Sequence, residues 1–134
     1  MKKMRILVLL LAVALVISLN GCGRDGTAKG ETITIGSKDF TENIILAHIM
    51  AELLEAKTDL TIVRKVNLGG SNVALKALQN NDIQLYPDYT GTIVANYYQE
   101  ETGTSEETLE KAMRLTEQDG FKLLKPFGMN NTYT

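Results

Sequence analysis

Leu85-Tyr86-Pro87-Asp88-Tyr89-Thr90-Gly91-Thr92 packs aromatic rings, a carboxylate and hydroxyls into one turn directly after an expected strand. Pro87 has no N–H to give a sheet ladder, so the strand over Ile83 to Tyr86 should stop before it. A helical run is expected from Thr92 to Gln99, with Ile93, Val94 and Tyr97 available to the core. Tyr89 then sits on a strand-to-helix connection, where the carboxyl ends of strands in an open α/β sheet gather ligands. Tyr86 and Tyr89 also fit an ordinary pair of half-buried aromatics.

The same strand-then-helix alternation extends upstream. Thr32-Ile33-Thr34-Ile35-Gly36 alternates polar with apolar, β-branched residues and reads as a strand. Ser37-Lys38-Asp39-Phe40 follows as a turn with a cation at its tip. From Thr41 to about Ala56, Ile45, Ile49 and Leu53 beside Leu46, Met50 and Leu54 repeat at helical spacing and predict a broad buried stripe, with Thr41 or Asp39 as cap. A second strand is expected over Leu60 to Val66. Gly69-Gly70 then allows a sharp turn, and Ser71 or Asn72 is placed to cap a helix over Val73 to Gln79. That loop has neither the GxGxxG spacing nor the Lys-Ser/Thr of a phosphate-binding loop, so it predicts no nucleotide site.

Downstream, Thr104-Ser105-Glu106-Glu107 has the form of a capping box for a helix running to about Gln118, with Leu109, Ala112, Met113 and Leu115 inward and Gly120 ending it. Phe121 to Phe127 reads as a further short strand. Alternating strands and helices with short connections predict a mostly parallel sheet flanked by helices. The chain stops in a polar-aromatic stretch just after that last strand, where a continuation is expected.

The first 22 residues differ from all that follows. Lys2, Lys3 and Arg5 precede an apolar run from Ile6 to Leu19, which is shorter than the ~20 residues of a membrane span and reads as an export signal. Leu19-Asn20-Gly21-Cys22 resembles the lipobox of bacterial lipoproteins, which implies cleavage before Cys22, its lipidation, and attachment to the outer face of the cytoplasmic membrane. The expected organisation is a signal over 1–22, a flexible glycine- and charge-rich tether over 23–31, and an α/β lobe over 32–134.

Composition narrows the function classes. Over 134 residues the net charge is -2 with 22% charged residues, so the basic stripe that nucleic acid requires is missing. Cys22 is the only cysteine and His48 the only histidine, which leaves no Cys/His spacing for a structural metal. His48 shares helical spacing with Glu52 and Glu55 and is expected in solvent, so no nucleophile-histidine arrangement can be built. Asp39, Glu42 and Asp88 are the carboxylates available for a catalytic pair, and their separation in space is not readable from sequence. The chain is not expected to be an enzyme, and no cofactor is implied. What remains is Tyr89 and Tyr133 near strand ends, with Lys38 on another such loop. Electron-rich ring faces attract a cation that cannot donate hydrogen bonds, above all a quaternary ammonium, while a lysine pairs with a carboxylate at the ligand's other end.

Ser37-Lys38-Asp39-Phe40-Thr41-Glu42, Leu68-Gly69-Gly70-Ser71-Asn72, Tyr86-Pro87-Asp88-Tyr89-Thr90-Gly91-Thr92 and Asn131-Thr132-Tyr133, in that order, resemble the substrate-binding proteins of osmoprotectant ABC importers. These take glycine betaine, carnitine or choline, and the resemblance runs from Ile33 to the end. It implies a type II periplasmic-binding-protein-like fold of two α/β lobes in a chain about twice this long, of which these residues form the first lobe and the start of the crossover. It further implies that Tyr89 and Tyr133 are walls of a tyrosine box around the trimethylammonium group, and that Lys38 and Thr92 bind the carboxylate. Asn131 matches a position near the cationic head that is often aspartate, and Asn72 a helix-start position that influences whether choline is accepted. The implied partners are a quaternary ammonium solute, ABC permease and ATPase subunits, and the membrane through a lipid anchor. The alternative is a truncated one-lobe lipoprotein that serves only as an interaction module.

Overall fold

The computed structural model describes residues 30–129. The signal over 1–22 with Cys22, nearly all of the tether expected over 23–31, and Asn131 and Tyr133 lie outside the described residues.

β1 (Thr32–Gly36) and β2 (Thr61–Lys65) pair in parallel, with Thr32 opposite Thr61 and Gly36 opposite Lys65. Parallel strands need a crossover between them. Helix α1 (Thr41–Lys57) supplies it and lies against both strands. The third strand expected over Ile83 to Tyr86 is reduced to one parallel bridge, Leu85 with Ile35. Gln84 N–H donates to Thr34 O at 2.8 Å and Gly36 N–H to Leu85 O at 2.8 Å, and Pro87 follows immediately. Ile35 is thus paired with Arg64 on one side and Leu85 on the other, which makes β1 the central strand. The three segments deliver their carboxyl ends, Ser37, Asn67 and Pro87, to one edge of the sheet.

The packing of α1 differs from the sequence expectation. Ile45, Ile49 and Leu53 are each more than half exposed, whereas Asn43, Leu46, Ala47 and Ala51 are buried. Ala47 and Ala51 face Ile35, and their small side chains let the helix approach the sheet closely; Met50, Leu54, Ile62 and Val66 pack around them. Because α1 is apolar on nearly every side, helical spacing alone does not select the buried face. His48 is exposed, as expected. Neither Thr41 nor Asp39 caps the helix; the N-cap is Phe40, without a side-chain bond.

Helix α2 (Ser71–Gln79) starts two residues earlier than expected and is capped by Gly70, so Ser71 and Asn72 are inside it and cap nothing. Gly69 has φ +126, a conformation closed to other residues without strain, and it turns the chain from the β2 connection into α2. The helical run after Tyr89 begins at Thr90: one α turn, α3 (Thr90–Thr92), passes into a π-helical segment, Ile93–Tyr97. Ile93 and Val94 are buried there against Ala112 and Leu115 of α4 (Ser105–Gln118). Met113, expected inward on α4, is 48% exposed, and Phe121 to Phe127 forms no strand.

The capping box of α4 forms as its spacing predicts. Glu107 N–H donates to Thr104 Oγ1 at 3.3 Å, and Thr104 N–H donates to Glu107 Oε2 at 2.8 Å. Gly120, at φ +80, follows the helix end. Thr104→Ala is expected to lower the unfolding free energy by ~1 kcal/mol in a urea titration, with an unchanged slope. A loss within error of zero would show that the box contributes nothing to holding α4.

Candidate functional site

The loop after β1 is fastened from both sides. Ser37 is fully buried; its Oγ accepts from Asn67 N–H at 2.7 Å and its carbonyl from Leu68 N–H at 3.0 Å. Asp39 N–H donates to Gly69 O at 3.1 Å, so the loops after β1 and β2 are laced together. Asn43, in the first turns of α1, does the same for the third loop. Its Oδ1 accepts from Lys38 N–H at 2.7 Å and its Nδ2 donates to Pro87 O at 2.8 Å. A buried asparagine on an otherwise apolar face thus spaces Lys38 against the segment that carries Asp88 and Tyr89.

Lys38 is not a cation at the tip of a turn. Its side chain is 2% exposed and its Nζ is ion-paired with Asp88 Oδ1, whose side chain is 5% exposed. Asp88 is a hub: Oδ1 also accepts from Tyr89 N–H at 2.7 Å, and Oδ2 from Tyr97 OH at 2.7 Å. Tyr97 OH also lies 3.1 Å from Ser71 O, and Tyr86 OH donates to it at 3.5 Å. Burial, and next the neighbouring Asp88 charge, hold both the Tyr86 and Tyr97 phenols above the ordinary tyrosine range, so both stay protonated and Tyr97 remains a donor to Asp88.

Tyr89 is oriented through its hydroxyl, which donates to Glu42 Oε1 at 2.6 Å. Its ring stacks on Phe40 with centroids 6.0 Å apart and planes at 28°, and Lys38 Nζ stands 5.5 Å from its centroid. Of the carboxylates considered for an acid-base pair, Asp88 is engaged by Lys38 and Tyr97 and Glu42 by Tyr89.

Lys38, Tyr89 and Thr92 line one open cleft of about 740 Å³, together with Phe40, Ser71 and Asp88. Three of the sequence-derived site residues therefore converge, although Lys38 follows β1 and Tyr89 and Thr92 follow the third sheet segment. Asn72 does not line this cleft; it borders a neighbouring depression with Asn96 and Gln99, and Ser71 and Asn96 are common to both. Tyr86 turns instead into a smaller, mostly apolar cavity of about 210 Å³ beside Ile93 and Leu123. Asn131 and Tyr133 lie outside the described residues. Sequence reasoning did not assign Asn43, Asp88 or Tyr97 to the site. The signal for Asn43 was local, a polar residue between the apolar turns of α1; those for Asp88 and Tyr97 exist only in three dimensions.

The family model of the substrate-binding domain of ABC-type glycine betaine transport systems, OpuAC, matches residues 31–134. The chain belongs to the OpuAC family. That family is one of substrate-binding transport proteins and not a class of enzymes. The chain is 32% identical over 123 residues to a glycine-betaine-binding protein of Pseudomonas aeruginosa, covering 90% of its own length and 38% of that protein. It is 31% identical over 129 residues to the carnitine transport binding protein OpuCC of Listeria monocytogenes, covering 94% of itself and 42% of OpuCC. Among solved structures, apo YehZ from Escherichia coli superposes with a TM-score of 0.60 at 28% identity, over 65% of this chain and 32% of that one. The chain spans about two fifths of the length of the relatives named here. The fold class is thereby that of a periplasmic-binding-protein-like α/β lobe with parallel strands.

Proposed function

We propose that this chain is the first lobe of an extracytoplasmic solute-binding lipoprotein of an ABC importer, and that its cleft takes quaternary ammonium compatible solutes of the glycine betaine, carnitine and choline kind. The observation that carries this reading is the meeting of Lys38, Tyr89 and Thr92 at the carboxyl end of a parallel sheet, inside the segment that matches the OpuAC model. Tyr89 supplies a ring face for the methylated ammonium, and Thr92 and Lys38 supply donors for a ligand carboxylate. Asn131 and Tyr133 contribute to the cationic end from this lobe, and Asn72 bears on choline acceptance from the adjoining depression. The named functions of the relatives, glycine betaine binding and carnitine transport binding, support the solute class.

In this reading, residues 1–22 direct export, Cys22 carries the lipid, 23–31 form the tether and 32–134 the lobe that meets permease and ATPase subunits. Cys22→Ala is expected to release the protein from the membrane fraction or leave its signal uncleaved, and to abolish labelling by radioactive palmitate. A variant processed and membrane-bound like the parent would contradict the anchor. Equilibrium dialysis of the purified chain against radiolabelled choline and glycine betaine tests the solute class. Saturable binding that unlabelled carnitine displaces and succinate does not is the expected result; no saturable binding of either label overturns the reading.

A further inference from the structure

The cation nearest the Tyr89 ring belongs to the protein itself. Lys38 Nζ lies 5.5 Å from the ring centroid, and Lys38 and Asp88 both line the cleft that holds Tyr89. An uncompensated ammonium in that place would repel a second cation arriving at the same ring, because like charges about 5–6 Å apart in a poorly solvated site oppose each other strongly. What removes the repulsion is the Asp88 carboxylate. It is ion-paired with Lys38 and is fixed by two further donors, Tyr89 N–H and Tyr97 OH, that hold it in place.

We infer that Asp88 sets the charge specificity of the cleft by neutralising Lys38, so that the site accepts a permanently cationic or zwitterionic solute instead of an anion. This rests on the function proposed above. Asp88 acts through Lys38 and has no contact with the ligand's ammonium. Asp88→Asn keeps the shape of the side chain and leaves Lys38 charged and unpaired. Choline then loses affinity, whereas a solute bearing a carboxylate finds a free ammonium.

The test is a set of calorimetric titrations of choline and glycine betaine into the parent chain, Asp88→Asn, and the double variant Lys38→Met/Asp88→Asn. In Asp88→Asn, choline affinity is expected to fall by roughly tenfold or more while betaine affinity is held or rises. A residue that merely supports the fold would weaken both ligands alike, and that result overturns the inference. The double variant contains neither buried charge and is expected to fold even where Asp88→Asn does not. It should recover most of the choline affinity that Asp88→Asn loses; choline affinity no better than in Asp88→Asn would mean that Asp88 meets the ligand directly, and would also overturn the inference. The parent titration separates the two levels. A parent that binds neither solute removes the proposed function and this inference with it, whereas a parent that binds both leaves the variants to judge Asp88 alone.

Discussion

Lys38→Met is expected to lower the unfolding free energy by about 3–5 kcal/mol, the range for breaking a buried ion pair by removing one partner. The methionine fills most of the lysine's volume, so the loss comes from Asp88. That carboxylate, 5% exposed, keeps the Tyr89 N–H and Tyr97 OH donors but loses the only countercharge it is paired with among the described residues. A domain with 5–15 kcal/mol in total would lose a large share of its stability. Lys38→Met/Asp88→Asn should recover most of it, because the amide carries no charge to strand. Urea unfolding of parent, single and double variants measures this directly. A single-variant loss under about 1 kcal/mol, or a double variant no better than the single, would show that the pair is not held out of water as its burial indicates.

Asn43→Ala should be nearly as damaging, by about 2–6 kcal/mol. It leaves two buried backbone groups, Lys38 N–H and Pro87 C=O, without partners, and each such loss costs about 1–3 kcal/mol. Asn43→Leu separates bonds from volume: leucine fills the space and restores neither bond, so it should fail about as badly. The Lys38 amide should also exchange with solvent deuterium much faster in both variants, since Asn43 Oδ1 is its acceptor. Stability restored by leucine would place the effect in packing, and an unchanged Lys38 exchange rate would show that Asn43 does not hold the loop.

These two residues mark how far the sequence could be read. β1, β2 and the capping box of α4 were legible because their determinants are local: β-branched alternation, and a threonine and a glutamate at fixed spacing. Lys38 and Tyr89 were legible as candidates because both follow strand ends, and the fold brings both to one cleft. The burial of Lys38 was not, because its partner Asp88 is 50 residues away and nothing in the turn Ser37–Phe40 reports it. The inward face of α1 was misjudged for a different reason: close helix-sheet approach selects the small Ala47 and Ala51 over the larger Ile45 and Ile49, and bulk was a poor guide. Phe121 to Phe127 has the composition of a strand, but pairing is decided by a neighbour, and no described strand runs beside it.

The central claim is that the Tyr89 ring receives a methylated ammonium, and affinities of parent, Tyr89→Phe and Tyr89→Leu for choline test it most directly. A cation-π contact in a desolvated site is worth about 2 kcal/mol, so Tyr89→Leu should weaken choline by more than tenfold. Tyr89→Phe keeps the ring and gives up the hydroxyl that donates to Glu42, so it should stay within a few-fold of the parent. Choline binding by Tyr89→Leu as tight as by the parent, or equal losses in the two variants, would contradict the claim.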